Sequence, residues 1–214
     1  MSFESLTDDE KDLLEKNSVT VDYKKGETIS KQGSFASNII YIESGLVKVY
    51  IEGKPKNLIL TITPADHFVG LQAIIEGNNT FLYSVSTYID SRVKLIDIQI
   101  FKQLLRQNPA FTAKIINILN ENSAQAYGRF FCLTRKQLHG RLADILLCLS
   151  ERIFKSEAFE LPLSRNDLGE LSGMSTESVI RIMKEFKDDK LIKVVCKTIE
   201  IVDKERIKKI SEVG

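Results

Sequence analysis

One stretch constrains this chain more than any other: residues 164–188, SRNDLGELSGMSTESVIRIMKEFKD. Leu168 and Leu171 form a short apolar face, Gly173 interrupts it, and Val179, Ile182, Met183 and Phe186 form a second face at helical spacing. The pattern predicts two helices joined at a glycine turn. Ser164, three residues before Asp167, fits a capping arrangement for the first helix. Ser175 can cap the second by accepting from a backbone N–H two or three residues on.

Gly169 falls inside the first helix, where a steeply crossing partner must come close, and Gly173 falls in the turn. That combination predicts a helix-turn-helix. Packing explains the apolar faces but not the other side of the second helix, which carries Thr176, Glu177, Ser178, Arg181 and Lys184. From a helix lodged in a major groove, a carboxylate accepts from cytosine N4 and a guanidinium pairs with guanine O6 and N7. Glu177 and Arg181 are four apart and share one face; the plainer alternative is a surface ion pair between them, worth about 0.3–0.5 kcal/mol.

The run from Arg165 to Lys184 resembles the helix-turn-helix of the cyclic-AMP receptor and fumarate–nitrate reduction regulator (CRP/FNR) family of bacterial transcription factors. The recognition helix of that family reads Glu, three intervening residues, then Arg, here Glu177 and Arg181. The resemblance implies Thr176, Glu177 and Arg181 as base readers of double-stranded DNA, with Arg181 on guanine and Glu177 on the complementary strand of a TGA-like half-site. Thr176 stands where the cyclic-AMP receptor has a base-reading Arg, which leaves the outer base of the half-site open. Phosphate contacts then fall to Arg165, Ser175 and Ser178 at helix starts, and to Lys197 in a following wing.

Composition neither helps nor harms this reading. The formal net charge is +1, and residues 135–214 hold 16 Lys and Arg against 14 Asp and Glu, so the case rests on where charges sit. At 214 residues and 43% hydrophobic content the chain can bury a core in one or two domains. No apolar run is long enough to span a membrane, and the acidic start MSFESLTDDEKDLL lacks the order of a signal peptide, so a cytoplasmic location is expected. Cys132, Cys148 and Cys196 are far apart and match no metal-ligand spacing; free thiols are expected, with a redox switch as the alternative.

Ahead of the helix pair, Glu4 to Asn17 reads as an amphipathic helix with Thr7 and Glu10 as a capping box. From Val19 to Asp97 the chain turns to short β-prone runs, VTVDY, NIIYIES, LVKVYIE, NLILTIT, FLYSVSTYI and RVKLIDI, separated by glycines and Pro64. Alternation in LVKVYIE and LYSVST predicts an antiparallel all-β unit, a sandwich or roll. The unit resembles the cyclic-nucleotide-binding β-roll of the same family through YIESGLVKVY and the turn PADHFVG. The expected class is α+β, with a roll and N-terminal helix at 1–108, a dimerisation helix at 109–134 and a winged helix-turn-helix at 135–214.

Cyclic-AMP-binding members of the family place a Glu after the glycine matching Gly70 and an Arg–Ser pair some ten residues on. Here those places hold Leu71 and Thr80–Phe81. A buried cyclic phosphate without an Arg leaves an unpaired charge, at several kcal/mol, so cyclic AMP is not the expected ligand. The region of any small-molecule effector is Gly70, Leu71, Thr80, Phe81 and Tyr83, with Tyr127 from the long helix, where such members carry a Thr–Ser pair at the places of Ala126 and Tyr127. Leu71, Phe81 and Tyr83 suggest either an apolar pocket or simple filling of the roll.

Asp97 to Asn108 reads as a helix stopped by Pro109, and Phe111 onward as a long helix to about Thr134. Ile115, Leu119, Asn122, Ala126 and Leu133 follow coiled-coil spacings, and the resemblance implies that this helix pairs with its twin in a homodimer, with RNA polymerase as a further partner. Beyond it, Arg141 to Phe154 reads as an amphipathic helix, Leu161–Leu163 as a short strand, and LIKVVCKTIEIVD as a two-stranded wing turning at Cys196–Lys197. His67 is the candidate axial ligand for haem, but no second ligand is identifiable and a loop histidine is favoured; no metal site is expected. The chain has no Gly-x-Ser-x-Gly, no His-Glu-x-x-His and no phosphate-cradling glycine loop, so an enzyme is not expected. The competing non-enzyme readings are a sensor whose second domain docks a protein, and a haem- or redox-sensing regulator.

Overall fold

Turn-separated alternating runs need a second sheet to cover their apolar faces, and the N-terminal half supplies one. In a computed structural model, which describes residues 3–54, 56–75, 77 and 80–214, the chain divides into two units: Met1–Glu52 with Thr61–Gln125, and Gly53–Leu60 with Ala126–Gly214. The first opens with α1 (Asp8–Lys16), whose capping box is complete: the Thr7 hydroxyl accepts from the Glu10 N–H (3.3 Å) and Glu10 Oε2 accepts from the Thr7 N–H (2.8 Å).

Strands follow as β1 (Ser18–Tyr23), β2 (Thr28–Ser30), β3 (Asn38–Ser44), β4 (Leu46–Ile51), β5 (Leu58–Pro64), β6 (His67–Val69), β7 (Ser84–Thr87) and β8 (Ser91–Asp97). They form two four-stranded sheets, β1-β8-β3-β6 and β2-β7-β4-β5, in which β8 pairs antiparallel with β1 and β3, and β7 with β2 and β4. Ile39, Ile42, Val47, Val85, Val93 and Ile96 are fully buried between them. Phe3, Tyr41, Phe68, Phe101 and Phe111 extend this core as a run of ring contacts, each neighbouring pair at 4.8–5.6 Å between centroids.

Helix α2 (Ile98–Gln107) is capped by Asp97, which accepts from the Gln99 and Ile100 N–H groups. The long helix α3 (Pro109–Arg135) starts at the proline itself, since a first-turn residue needs no N–H donor. All six β-prone runs carry strands; β2 and β6, three residues each, are additions.

The second unit continues with α4 (Leu138–Cys148), which relaxes into a π-helical turn over Leu149–Ile153, then β9 (Ala158–Glu160), α5 (Arg165–Ser172), α6 (Thr176–Asp188), β10 (Ile192–Val195), β11 (Thr198–Ile201) and α7 (Lys204–Val213). The structure departs from the sequence reading at two places and adds one helix. Leu161–Leu163 is not a strand: the pairing lies just before it, Phe159 opposite Ile199, so the wing has three strands in the order β10-β11-β9, and Leu161 and Leu163 are buried as core. The amphipathic helix begins at Leu138, not Arg141. A closing helix, α7, is capped by Asp203 and buries Ile207 and Ser211.

Candidate nucleic-acid interface

Both helix starts and the turn between them are fixed by the residues expected to fix them. Ser164 and Asp167 form a reciprocal capping box, the Ser164 hydroxyl accepting from the Asp167 N–H (3.1 Å) and Asp167 Oδ2 from the Ser164 N–H (2.9 Å). Gly173 ends α5 in the left-handed region at φ 64°. Ser175 caps α6 by accepting from the Ser178 N–H (3.1 Å). A Cβ added at Gly169 would stand 2.9 Å from the Met174 carbonyl oxygen, so only glycine lets α5 and the turn approach this closely.

With Val179, Ile182, Met183 and Phe186 buried, helical geometry turns Glu177, Arg181 and Lys184 outward, and all three are exposed; Thr176 and Ser178 are half-buried beside the N-cap. Glu177 is held below the usual carboxylate range by its own backbone N–H and by the Ser175 hydroxyl, so at neutral pH it is ionised and acts only as an acceptor. Arg181 does not pair with Glu177: its Nη1 donates to Glu185 Oε1 at 2.8 Å, one turn further along the helix. The other Glu185 oxygen lies 2.6 Å from His139 Nε2 on α4.

Two further residues of α6, Ile180 and Glu185, belong to this face or its support without being marked by spacing. Ile180 is an apolar side chain 54% exposed on the same face as Glu177 and Arg181, and apolar groups read the thymine methyl. Its signal was present in the sequence, as an isoleucine off the apolar stripe.

The expected phosphate-contacting residues lie on the same unit. Ser175 is exposed at the α6 start, Arg165 is half-buried in the first turn of α5, and Lys197 is exposed in the two-residue turn between β10 and β11, where Cys196 adopts φ 55°. Burial pulls the Arg165 guanidinium below its ordinary value. Lys184, Lys187, Lys190 and Lys193 are exposed as well, adding cations to a unit whose 19 Lys and Arg outnumber its 14 Asp and Glu.

Of the expected effector region, Gly70, Leu71, Thr80, Phe81 and Tyr83 lie in the first unit, and Tyr127 belongs to the second. Gly70, at φ 87°, precedes a single 3-10 turn over Leu71–Ile74, and its N–H donates to Tyr83 Oη (3.0 Å), which donates in turn to Gln72 Oε1 (2.5 Å). Burial pushes the Tyr83 phenol up, which keeps it a neutral donor. Phe81 is buried against Gly70, with Cε1 2.9 Å from where a Cβ would stand, and its backbone pairs with Gly33 and Ser34. Leu71 is buried, Thr80 exposed, and Tyr127 74% exposed on α3. His67 is exposed, its Nδ1–H donating to the Ala65 carbonyl (2.8 Å).

The expected dimer seam is only partly on a free face. Ile115 is buried at 2% exposure, and Leu133, half-buried, has its Cδ2 3.3 Å from where a Cβ on Gly173 would stand, so both already pack within their own protomer. Leu119 is half-buried, and Asn122 and Ala126 are exposed. The large exposed apolar side chains of α3 are instead Ile116, Tyr127, Phe130 and Phe131.

Residues 140–210 match the family model of the Crp-like helix-turn-helix domain, and residues 20–108 that of the cyclic nucleotide-binding domain. Among curated relatives, the transcriptional activator protein FnrA of Stutzerimonas stutzeri is 26% identical over 189 residues, covering 84% of this chain and 75% of its own. The cAMP-activated global transcriptional regulator CRP of Escherichia coli O157:H7 is 28% identical over 190 residues, covering 84% and 87%. Of solved structures, FixK2 from Bradyrhizobium japonicum matches the fold with a TM-score of 0.83 at 18% identity over 92% of this chain and 98% of its own. The c-di-GMP responsive global regulator CLP of Xanthomonas campestris matches at 0.78 and 20% identity over 91% and 99%.

Proposed function

Since this chain belongs to the CRP/FNR family and is a DNA-binding transcription regulator of that type, we propose that it reads a palindromic site with TGA-like half-sites as a homodimer, without cyclic AMP as its effector. Neither the match to the family nor the chemistry of its helices points to an enzyme. The observation that carries the DNA reading is the division of α6: four buried apolar side chains seat it, and Glu177, Ile180, Arg181 and Lys184 are left facing out. Arg181 pairs with guanine, Glu177 accepts from the opposite strand, and Ile180 meets a thymine methyl. Thr176 adds the outermost base contact, while Arg165, Ser175, Ser178 and Lys197 hold the phosphates. Two such helices read a palindrome only as a two-fold pair about 34 Å apart, which is why the homodimer belongs to the proposal. RNA polymerase is the partner that such a bound dimer would present to.

The Escherichia coli relative is cAMP-activated by name. What supports a different behaviour here is the Gly70–Tyr83–Gln72 hydrogen bonding, with Phe81 packed against Gly70 at the place that, by the family resemblance, holds the phosphate-binding pair. A buried phosphate meeting Phe81 in place of a guanidinium would cost several kcal/mol.

The test is selection of sites from a random DNA pool by the purified protein, with and without cyclic AMP, beside a Glu177→Ala/Arg181→Ala variant. The same palindrome should be recovered in both conditions and lost in the double variant, and Arg181→Ala alone should cost about 1–3 kcal/mol and relax choice at one base pair. Equal weakening on every sequence would remove Arg181 from base reading. Recovery of a site only with cyclic AMP would overturn the effector part.

A further inference from the structure

The Arg181–Glu185 contact would be an ordinary surface pair were it not for its second partner. Arg before Glu at this spacing is the weaker orientation on a helix, and such pairs are usually mobile. Here, however, the two carboxylate oxygens are divided: Oε1 accepts from Arg181 Nη1 at 2.8 Å, and Oε2 lies 2.6 Å from His139 Nε2. His139 comes from α4, a different helix, and its ring is itself held against the buried Phe186 at 6.1 Å between centroids. The carboxylate is thereby tied to the body of the domain and cannot simply follow the arginine. Held below the usual carboxylate range by His139 first and Arg181 after it, Glu185 stays ionised at neutral pH.

The geometry leaves the arginine usable. A guanidinium has five N–H donors in a fixed fork, and Glu185 engages Nη1 alone, so among the described residues nothing occupies the Nε and Nη2 edge, which can make a bidentate pair with guanine O6 and N7. We propose that Glu185 is a positioning residue for base reading: anchored by His139, it holds Arg181 in the orientation in which it meets guanine, and so sets selectivity more than affinity. The inference rests on Arg181 being the base reader proposed above. Holding one side chain before binding removes part of the ordering cost of the correct complex. On phosphate-only binding, where Arg181 reads no base, the same carboxylate adds only a repulsive charge.

The experiment compares binding of wild type, Arg181→Ala, Glu185→Ala, Glu185→Gln, His139→Ala and the Arg181→Ala/Glu185→Ala double variant to two duplexes. One carries inverted TGA half-sites, and the other has the guanine of each half-site replaced by adenine; thermal unfolding of each variant confirms that it is folded. The selectivity ratio should drop by about three- to tenfold in Glu185→Ala, the scale of ordering one long side chain, with affinity for the altered duplex unchanged or higher. Glu185→Gln, still an acceptor, should recover part of the ratio, and His139→Ala should lower it in the same direction. In the Arg181→Ala background, removing Glu185 should change the ratio no further.

A ratio unaltered in Glu185→Ala, or equal weakening on both duplexes, would overturn the positioning role while leaving Arg181 as base reader. Tighter selective binding by Glu185→Ala would show that Glu185 competes with DNA for the arginine, which also overturns it. An unchanged ratio in His139→Ala would overturn the anchoring. If the wild type shows no selectivity, or Arg181→Ala keeps all of it, the base-reading proposal fails instead.

Discussion

At the scale of single residues, burial sorts the three cysteines, all of them free thiols. Burial, then the Asp144 carboxylate, pushes the buried Cys132 thiol up to about 11, and Lys136 and Arg129 only partly oppose this. Burial raises the half-buried Cys148 as well. Cys196 is exposed in the wing turn. Since the thiolate is the nucleophile, Cys132 at neutral pH is reactive in only about one molecule in 10⁴. A thiol reagent followed by peptide mass spectrometry should therefore label Cys196 in the folded protein, and Cys132 and Cys148 only after unfolding. Labelling of Cys132 at the rate of Cys196 would contradict this. The same scale shows where sequence reading stops. Arg181 has an acid four residues before it and another four after, and helix orientation favours Glu177, yet the partner formed is Glu185. Glu185 also meets His139, 46 residues from it in the chain, which no local pattern connects to the recognition helix.

Among the elements, those closed by their own end residues were legible. The capping box of α1, the Ser164 box and Gly173 of α5, and the Ser175 cap of α6 all follow from local chemistry, and each is formed. The three-residue strands β2 and β6 are too short for alternation to show, and β9 was displaced because Leu161 and Leu163 are apolar for the core without belonging to the ladder. The α1 box also makes a pH prediction. The Thr7 backbone N–H, then the Asn108 amide, hold the Glu10 carboxyl below its ordinary value of 4.5. A carboxyl depressed in the folded state adds stability above the unfolded value, and that stability is lost as pH falls through the folded one. Glu10→Gln should thus lower Tm at pH 7, and the gap from wild type should close on acidification below about pH 4.5. A gap that stays constant into the acid range would mean that the bonds to Thr7 and Asn108, not the charge, carry the effect.

For the whole molecule, the proposed two-fold target turns on which face of α3 meets a second copy. Coiled-coil spacing alone allows two registers. The one through Ile115, Leu119, Asn122, Ala126 and Leu133 uses Ile115, which the protomer already buries beside the fully buried Phe111, and Leu133, which is half-buried. A rotation of one residue gives Ile116, Ser123, Tyr127 and Phe130, spaced by seven, four and three, with Phe130 69% exposed. Sequence spacing could not choose between these, because the choice depends on what the rest of the protomer covers. Burying large side chains such as Tyr127 and Phe130 contributes about 1.5–3 kcal/mol each, enough to favour association through this face. The two registers give opposite outcomes for a buried charge. Phe130→Asp should leave the protomer folded but monomeric by light scattering at concentrations where wild type is dimeric, and should weaken binding to a palindrome by about 10²–10⁴-fold through loss of the second contact. Ile115→Asp should instead destabilise the protomer by more than about 4 kcal/mol, the cost of an unpaired charge in its core. A Phe130→Asp variant that remained dimeric would place the pairing on another face, and the palindrome would then have to be read across a different two-fold axis.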